Sequence, residues 1–445
     1  MRRLSVVCLL FFLFFGVGLR AGHALTLREG LEIVTSRGRR IQIAEARQTA
    51  AEEDVSLSRS KRLPRVDLFA RQSFLAYQPE ARFGPSGPVP VADKNSLSYG
   101  LRASQLLYDF GQSSSSIRAA ALRSRAQGIN TESTRNVAAR DFIMAYIGLL
   151  EAEKRLDVAR DEVSQYENHM GEAKAMYEEG LVTVNDLLQA KVILSDAMQR
   201  KMSAQNTRSI RESVINNLLL RPLSAEVEPN EISTAALFPK PDLDSATNTA
   251  GKLRPELREL ATRIEAKEAA VRSLRASSYP TISLNGGFAY EENEYMVHES
   301  NWNLSAGVSL NLYSGGSTSA RLRRAETELD ALRIERAAAV ERVSLEVKDA
   351  VLGLRSAGKR VEAARDGVKQ ADENLRLLNL RYEEGEATAT DVQDAVTLLA
   401  RAKTNYWSAL YGVQRETALL IFAQGMDLVK AYNNDDFANS HQRAP

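Results

Sequence analysis

The chain is poor in the residues that most site chemistry needs. It has one cysteine, Cys8, and four histidines in 445 residues. A single cysteine excludes a disulfide framework and a cysteine-built zinc site. His23, His169, His298 and His441 stand far apart, and no spacing among them suggests a metal cluster. Charge of one sign is lacking too: 58 basic and 57 acidic residues leave a net +1. That balance gives no reason to expect a nucleic-acid partner. Beyond the N-terminus no stretch stays apolar for about 18 residues, so a membrane would not be entered by a helix. Ser58 and Lys61 match a Ser-x-x-Lys pattern, but they lie in a helix of mixed charge without companion motifs. No catalytic residue, no cofactor site and no enzyme is expected.

Arg2 and Arg3 precede the apolar run "LSVVCLLFFLFFGVGL", and "AGHA" follows with small Gly22 and Ala24. This reads as a signal peptide over 1–24; the alternative is a retained membrane anchor. Cys8 lies inside it, too early and without the small residue expected before a lipidated cysteine. Removing 1–24 takes Arg2, Arg3 and Arg20 from the +1 chain and leaves −2. A cysteine-free remainder suits an oxidising exported compartment.

What is abundant is internal repetition. "MYEEGLVTVNDLLQAK" from Met176 returns as "RYEEGEATATDVQDAV" from Arg381. The offset of 205 residues joins Tyr108, Gly111, Tyr177, Gly180, Thr183 and Asp186 to Tyr313, Gly316, Tyr382, Gly385, Thr388 and Asp391. Upstream the offset is 216, from Pro64 to Pro280. The difference falls in a Pro/Gly-rich insertion of the first copy, "QPEARFGPSGPVPVADK". The chain is a tandem duplication. The first copy covers 25–220: helix 39–62, strands 65–78 and 96–108, long helix 112–178, returning helix 183–220. The second covers 256–425: helix 256–277, strands 279–291 and 301–313, long helix 317–383, returning helix 388–424. An irregular proline-rich connector spans 221–255, and a polar tail 426–445.

The strands alternate with period two. Trp302, Leu304, Ala306, Val308, Leu310 and Leu312 share one face, and Asn303, Ser305, Gly307 and Ser309 the other. Leu97, Tyr99, Leu101 and Ala103 repeat this against Ser98, Gly100, Arg102 and Ser104. One reading is a soluble half-buried sheet. The other is a transmembrane barrel with lipid outside and water inside. Four strands cannot close, since about eight is the practical minimum. Lipid tolerates no open edge. A barrel therefore requires several chains.

The long helices contain no proline, and each would run about 100 Å at 1.5 Å per residue. Their distal halves keep seven-residue rows: Leu149, Leu156, Val163, Met170 and Tyr177 beside Ala152, Ala159, Tyr166 and Ala173, with matching rows in the second copy. These are coiled-coil seams, large on one row and mostly alanine on the other. Gly180 and Gly385 read as C-cap glycines at the hairpin turns. Thr183 and Thr388 read as N-caps of the returning helices.

The duplication, "LLYDFG" and "LNLYSGG" at the strand-to-helix joins, and the paired "Y-x-x-G…D" tips together resemble the TolC family of outer-membrane efflux and secretion channel proteins. The resemblance implies an α+β membrane protein. Three chains share a twelve-stranded outer-membrane β-barrel, four strands each, continued by a long periplasmic α-helical barrel. The connector then lies in an equatorial band. The outer face of the strands, with Leu97, Tyr99, Leu101, Trp302, Leu304, Val308 and Leu310, meets lipid.

The resemblance also implies a gate at the periplasmic end. Asp391 and Asp394 would ring the constriction, and Tyr382 would be tethered to Asp186. A basic residue often found five positions after that Tyr is Ala387 here. The plainer reading of the aspartates is as solvated helix-start acids favoured by the dipole. Gly180, Leu181, Val182 and Thr183, with Gly385 and Thr388, would dock a periplasmic adaptor, a membrane fusion protein; Glu386 departs from the pattern. The implied function is an exit duct fed by an inner-membrane pump of the resistance-nodulation-division or ABC type. Drug efflux and type I protein secretion are both open. The competing reading is a periplasmic coiled-coil adaptor, which should carry one hairpin rather than two.

Overall fold

The structure is a computed structural model that describes residues 25–232 and 242–433. The expected signal segment 1–24, part of the connector and the end of the tail lie outside the described residues.

Each half begins with a short helix and a longer one: α1 Leu27–Arg37 and α2 Arg39–Ser60, then α5 Leu243–Leu253 and α6 Pro255–Ala276. Thr26 opens α1 with a capping box to Glu29. Pro255 sits at the first turn of α6, where its missing N–H costs nothing. Two strands follow in each half: β1 Arg65–Phe74 and β4 Asn95–Tyr108, then β5 Thr281–Glu291 and β6 Ser300–Ser309. The first-copy insertion folds as a small ribbon of β2 Glu80–Arg82 and β3 Pro88–Pro90.

Long helices α3 Gln112–Glu178 and α7 Ser317–Glu383 then return as α4 Val184–Leu218 and α8 Ala389–Ala423. A last turn, α9, covers Leu428–Asn433. Three features differ from the sequence reading. The connector carries α5, capped by Asp242. β1 stops at Phe74, before Gln78 and Pro79. β6 stops at Ser309, opposite Thr281 where β5 begins after Pro280. Leu310 and Leu312 therefore lie beyond the paired strand.

The four strands form one antiparallel sheet in the order β1-β4-β5-β6. Its register puts the apolar residues in line. Leu68 pairs Leu101, Leu101 pairs Phe288, and Phe288 pairs Trp302. A row away, Ala70 pairs Tyr99 and Tyr99 pairs Tyr290, the two rings stacked at 4.9 Å. All these side chains stand on one face, since partners in register share a face. The other face is small and polar: Gly287 pairs Asn303, and Asn285 pairs Ser305. Phe69 is an exception there. It lies over Gly100 and beneath the Arg102 guanidinium, 5.3 Å from its ring centre. A side chain at Gly100 would strike Phe288 O and crowd the Phe69 ring. Among the described residues β1 and β6 have no outer neighbours.

The helices pack α2, α4, α6 and α8 on α3, and α5, α6 and α8 on α7. A first core joins α1, α2, α3, α4, α8 and α9, and Tyr146 in it donates its hydroxyl to Leu25 O and Asn230 O at 2.8 and 2.7 Å. A second joins α5, α6, α7 and α8. A third lies near the hairpin tips and contains residues from both halves. Among the described residues no helix is long and apolar enough to cross a membrane.

Candidate functional site at the hairpin tips

The two tips share one backbone design. α3 ends with Gly180 at φ 74°, where Gly180 N–H donates to Tyr177 O (3.0 Å) and Leu181 N–H to Met176 O (2.8 Å). α7 ends with Gly385 at φ 75°, with bonds to Tyr382 O (3.0 Å) and from Glu386 N–H to Arg381 O (2.7 Å). These are Schellman closures, and the left-handed residue in each is best glycine. Three residues later Thr183 and Thr388 start the return. The carboxylate of Asp186 accepts from Thr183 N–H at 2.9 Å and from its hydroxyl at 2.7 Å. Asp391 does the same for Thr388 at 2.9 and 2.6 Å. Each duplicated aspartate thus completes a capping box. The threonine hydroxyl bond, then the threonine N–H bond, holds each carboxyl below its ordinary pKa.

This changes the expected tether. Asp186 is engaged by its own helix start, and Tyr382 makes no hydrogen bond to it. The Tyr382 hydroxyl is buried, and among the described residues it has no hydrogen-bond partner. Its ring packs instead against His169 of α3, centroids 5.2 Å apart and planes tilted by 56°. Burial, then the charges of Glu172 and Asp186, raises the Tyr382 pKa.

Asp391 and Asp394 both stand exposed, one turn apart at the start of α8, with buried Val392 and Gln393 between them. No basic side chain stands at Ala387, but a positive charge reaches the second tip from the end of α7. Ala387 packs against the tip core, and the positive charge comes from Arg381, whose field further lowers the pKa of Asp391. Arg381 also reaches Glu386 O at 3.5 Å. At the first tip Gly180 and Thr183 are exposed, Val182 is half-buried, and Leu181 is 70% exposed. At the second, Gly385 and Thr388 are exposed beside charged Glu386.

On the sheet, Leu97, Tyr99, Leu101, Trp302, Leu304 and Val308 are all exposed on the apolar face. Leu310 is exposed as well, but lies past the end of β6.

Two tip residues escaped the sequence reading. Tyr166 is buried and bonds across to α8, donating to Gln393 O at 3.1 Å and meeting Thr397 Oγ1 at 2.9 Å. Its signal was visible: it is the one large residue in an alanine row. His169 belongs to neither heptad row and carried no signal beyond being a histidine.

The outer membrane efflux protein family model matches residues 31–219 and 247–425. The probable efflux pump outer membrane protein SepC of Pseudomonas putida strain F1 is 24% identical over 301 residues. That match covers 66% of this chain and 62% of SepC, less than two thirds of the relative's length. The outer membrane protein TolC of Vibrio cholerae is 24% identical over 384 residues, covering 82% of this chain and 83% of that protein. The crystal structure of CusC superposes with a TM-score of 0.78 at 17% identity, over 90% of this chain and 92% of that one. The family match spans both structural halves and every helix that builds the tips, and this chain belongs to the outer membrane efflux protein family.

Proposed function

We propose that the protein is the outer-membrane exit duct of a tripartite export system, a homotrimer that conducts substrate passively from an inner-membrane pump through a periplasmic adaptor. The observation that carries this reading is an unmatched joint. Within the chain the halves meet where β4 pairs β5, α6 packs on α3, and α8 packs on α3. The duplication implies the same joint again: β6 to the partner subunit's β1, and α7 to the partner subunit's α2 and α4. Among the described residues β1 and β6 are the sheet edges, and α7 makes no extensive packing on α2 or α4.

The helical side of that joint is complementary. A groove of about 800 Å³ runs between α7 and α8, lined by Arg360, Gly367, Ala371, Ala402, Ala409 and Gly412. The corresponding surface of α3 is covered by α8, through Tyr166, the Lys403–Asp161 pair (3.1 Å) and the Arg155–Ser408 bond (2.8 Å). The α8 residues Gln393, Thr397 and Lys403 correspond to Leu188, Val192 and Met198 of α4. These apolar side chains are 53, 60 and 41% exposed. Where the within-chain joint has a large Tyr166, the open one has small Ala371 facing large residues to come.

Closing the sheet antiparallel uses four strands per copy. Two copies would give eight strands, whose interior side chains fill; three give twelve and leave a lumen. The small polar face of Ser, Gly and Asn suits that lumen, and the apolar face suits lipid. The helices then extend about 100 Å into the periplasm. Asp391 and Asp394, repeated three times near the axis, form the constriction, and their mutual repulsion must be offset by hydrogen bonds or cations. The first tip, Gly180 to Thr183, docks the adaptor. Gly385 and Thr388 flank a second contact weakened by Glu386.

The test is extraction from outer membranes. A heat-resistant trimer that conducts in planar bilayers is expected; a soluble periplasmic monomer would sink the reading. Asp391→Ala with Asp394→Ala should raise conductance and weaken block by divalent cations. Unchanged block would remove the constriction from these residues.

A further inference from the structure

His169 is 3% exposed, and among the described residues neither ring nitrogen has a hydrogen-bond partner. Its neighbour Tyr382 is buried with a partnerless hydroxyl. A buried polar pair left unbonded is unusual in a folded protein. The place matters as much as the chemistry. Tyr382 is in the last turn of α7, whereas His169 lies two turns above the end of α3. The histidine ring is therefore the seat on which the tip of the second hairpin rests against the side of the first. Tyr382 itself belongs to a buried apolar cluster with Val163, Tyr166, Val392 and Val396.

We propose that His169 is a proton switch: protonation in an acidified periplasm unseats the second hairpin tip from the first and favours the open duct. The inference rests on the duct reading above, because that reading puts this joint in the periplasm, whose pH follows the medium.

A neutral imidazole fits the apolar seat; an imidazolium there is a buried charge without a counter-ion. The charged groups facing it do not supply one. On α3, Glu172 is exposed one turn further on. On α7, Glu383 flanks Tyr382. On α8, Asp394 points out to solvent. On α4, Asp186 is held by Thr183, and Arg200 is paired to Glu162 at 2.9 Å. None bonds His169.

Burial holds the His169 pKa below its ordinary 6.5 in the seated state. Separation returns it to the ordinary value. Seating is thus at full strength above pH 6.5, weakens as pH falls through 6.5, and stops weakening below the seated pKa. Glu172 has the opposite sign. Partial burial of its carboxyl in an otherwise exposed residue, then Glu383, raises its pKa, so its protonation strengthens seating. That effect begins nearer the carboxylate range.

The duplication supplies an internal control. His169 corresponds to Asn374, and Tyr382 to Tyr177, which is 41% exposed in the single chain. In the closed ring, His169–Tyr382 joints within chains alternate with joints of Asn374 to the partner subunit's Tyr177. Only the first kind titrates.

The experiment uses the full chain with Leu181→Cys and Glu386→Cys at the exposed tips, spin-labelled, and reads the tip-to-tip distance at pH 7.5 and 5.0. The ratio of separated to seated tips should rise about tenfold per subunit for each pH unit between the two pKa values. His169→Asn, which copies the other joint, and His169→Phe, which keeps a ring, should both remove the response. Glu172→Gln should leave it in place. A distance distribution indifferent to pH, tips that close on acidification, or a response that survives both His169 variants would each overturn the proposal. Conductance of the same samples separates the failures: labelled tips that respond in a protein forming no channel count against the duct, not against His169.

Discussion

The two halves share a backbone and differ at the surfaces where halves meet. Both tips use the same Schellman glycine, the same threonine cap and the same aspartate, with bond lengths agreeing within about 0.1 Å. Just above the tips the copies part. The first half has Tyr166 and His169 where the second has Ala371 and Asn374, and Leu181 where the second has Glu386. The first pair is buried against α7 and α8 of the same chain. Of the second pair, Ala371 lines an open groove and Asn374 is exposed. Local chemistry was kept because every hairpin needs a turn. On the trimer reading proposed above, the joints diverge because one is made when the chain folds and the other when chains meet.

The largest effect should come from breaking the within-chain joint. Tyr166→Ala removes a fully buried ring and its two bonds to α8, and should cost about 3–5 kcal/mol in urea unfolding of the detergent-solubilised protein. Its counterpart, Ala371→Tyr, fills the groove. It should leave the helical circular dichroism unchanged yet block trimer formation in sizing experiments. If both variants lower chain stability equally, the two joints are not distinct.

The faces of the sheet can be compared in the same way. Val308→Arg should cost about 2–4 kcal/mol of assembly stability if that face meets lipid. Asn303→Arg, on the opposite face, should be nearly neutral. Equal costs in heat-dissociation assays would reverse or abolish the facing.

Much of this was legible in the sequence, because it is written in periods and caps. The alternation of β6 from Trp302 to Val308, the heptad rows of α3 and α7, and the glycines at 180 and 385 are local signals of local geometry. Leu310 was misjudged because alternation continues past Ser309, while a strand ends where its partner ends, at Thr281. The tether was misjudged because Asp186 has a nearer partner than Tyr382, in its own capping box. His169 could not be found, since its meaning comes from Tyr382, more than two hundred residues away. The Arg381 charge near Asp391 has no spacing signature, because it arrives from the end of the preceding helix.

Smaller effects test whether the two caps are as equivalent as they look. Thr183→Ala and Thr388→Ala should each destabilise by about 1 kcal/mol. Both contributions depend on ionised aspartates with lowered pKa values. They are present above the ordinary 3.8 and are lost as pH falls through the still lower folded-state values. The two threonine variants should therefore differ from wild type less in unfolding measured at pH 3 and below than at pH 7. A gap that stays constant in acid would show that the carboxylates are not part of the caps.

The smallest effect lies at the strand-to-helix joins. Copy two takes its left-handed step at Gly315, φ 62°, with nothing near enough to meet an added side chain. Copy one takes the same step with Phe110, φ 51°. A left-handed non-glycine residue costs about 1–2 kcal/mol. Phe110 offsets this through its ring, 4.8 Å from Tyr108 and 5.6 Å from Tyr279, and such contacts contribute about 0.5–1.5 kcal/mol each. Phe110→Gly removes the strain and the contacts together, so its net effect on urea unfolding should fall within about 1 kcal/mol of zero. Phe110→Ala removes the contacts and keeps the strain, and should be the worse of the two. If alanine proves better than glycine there, the backbone at that join is relaxed, and the difference between "DFG" and "SGG" is not a matter of conformation.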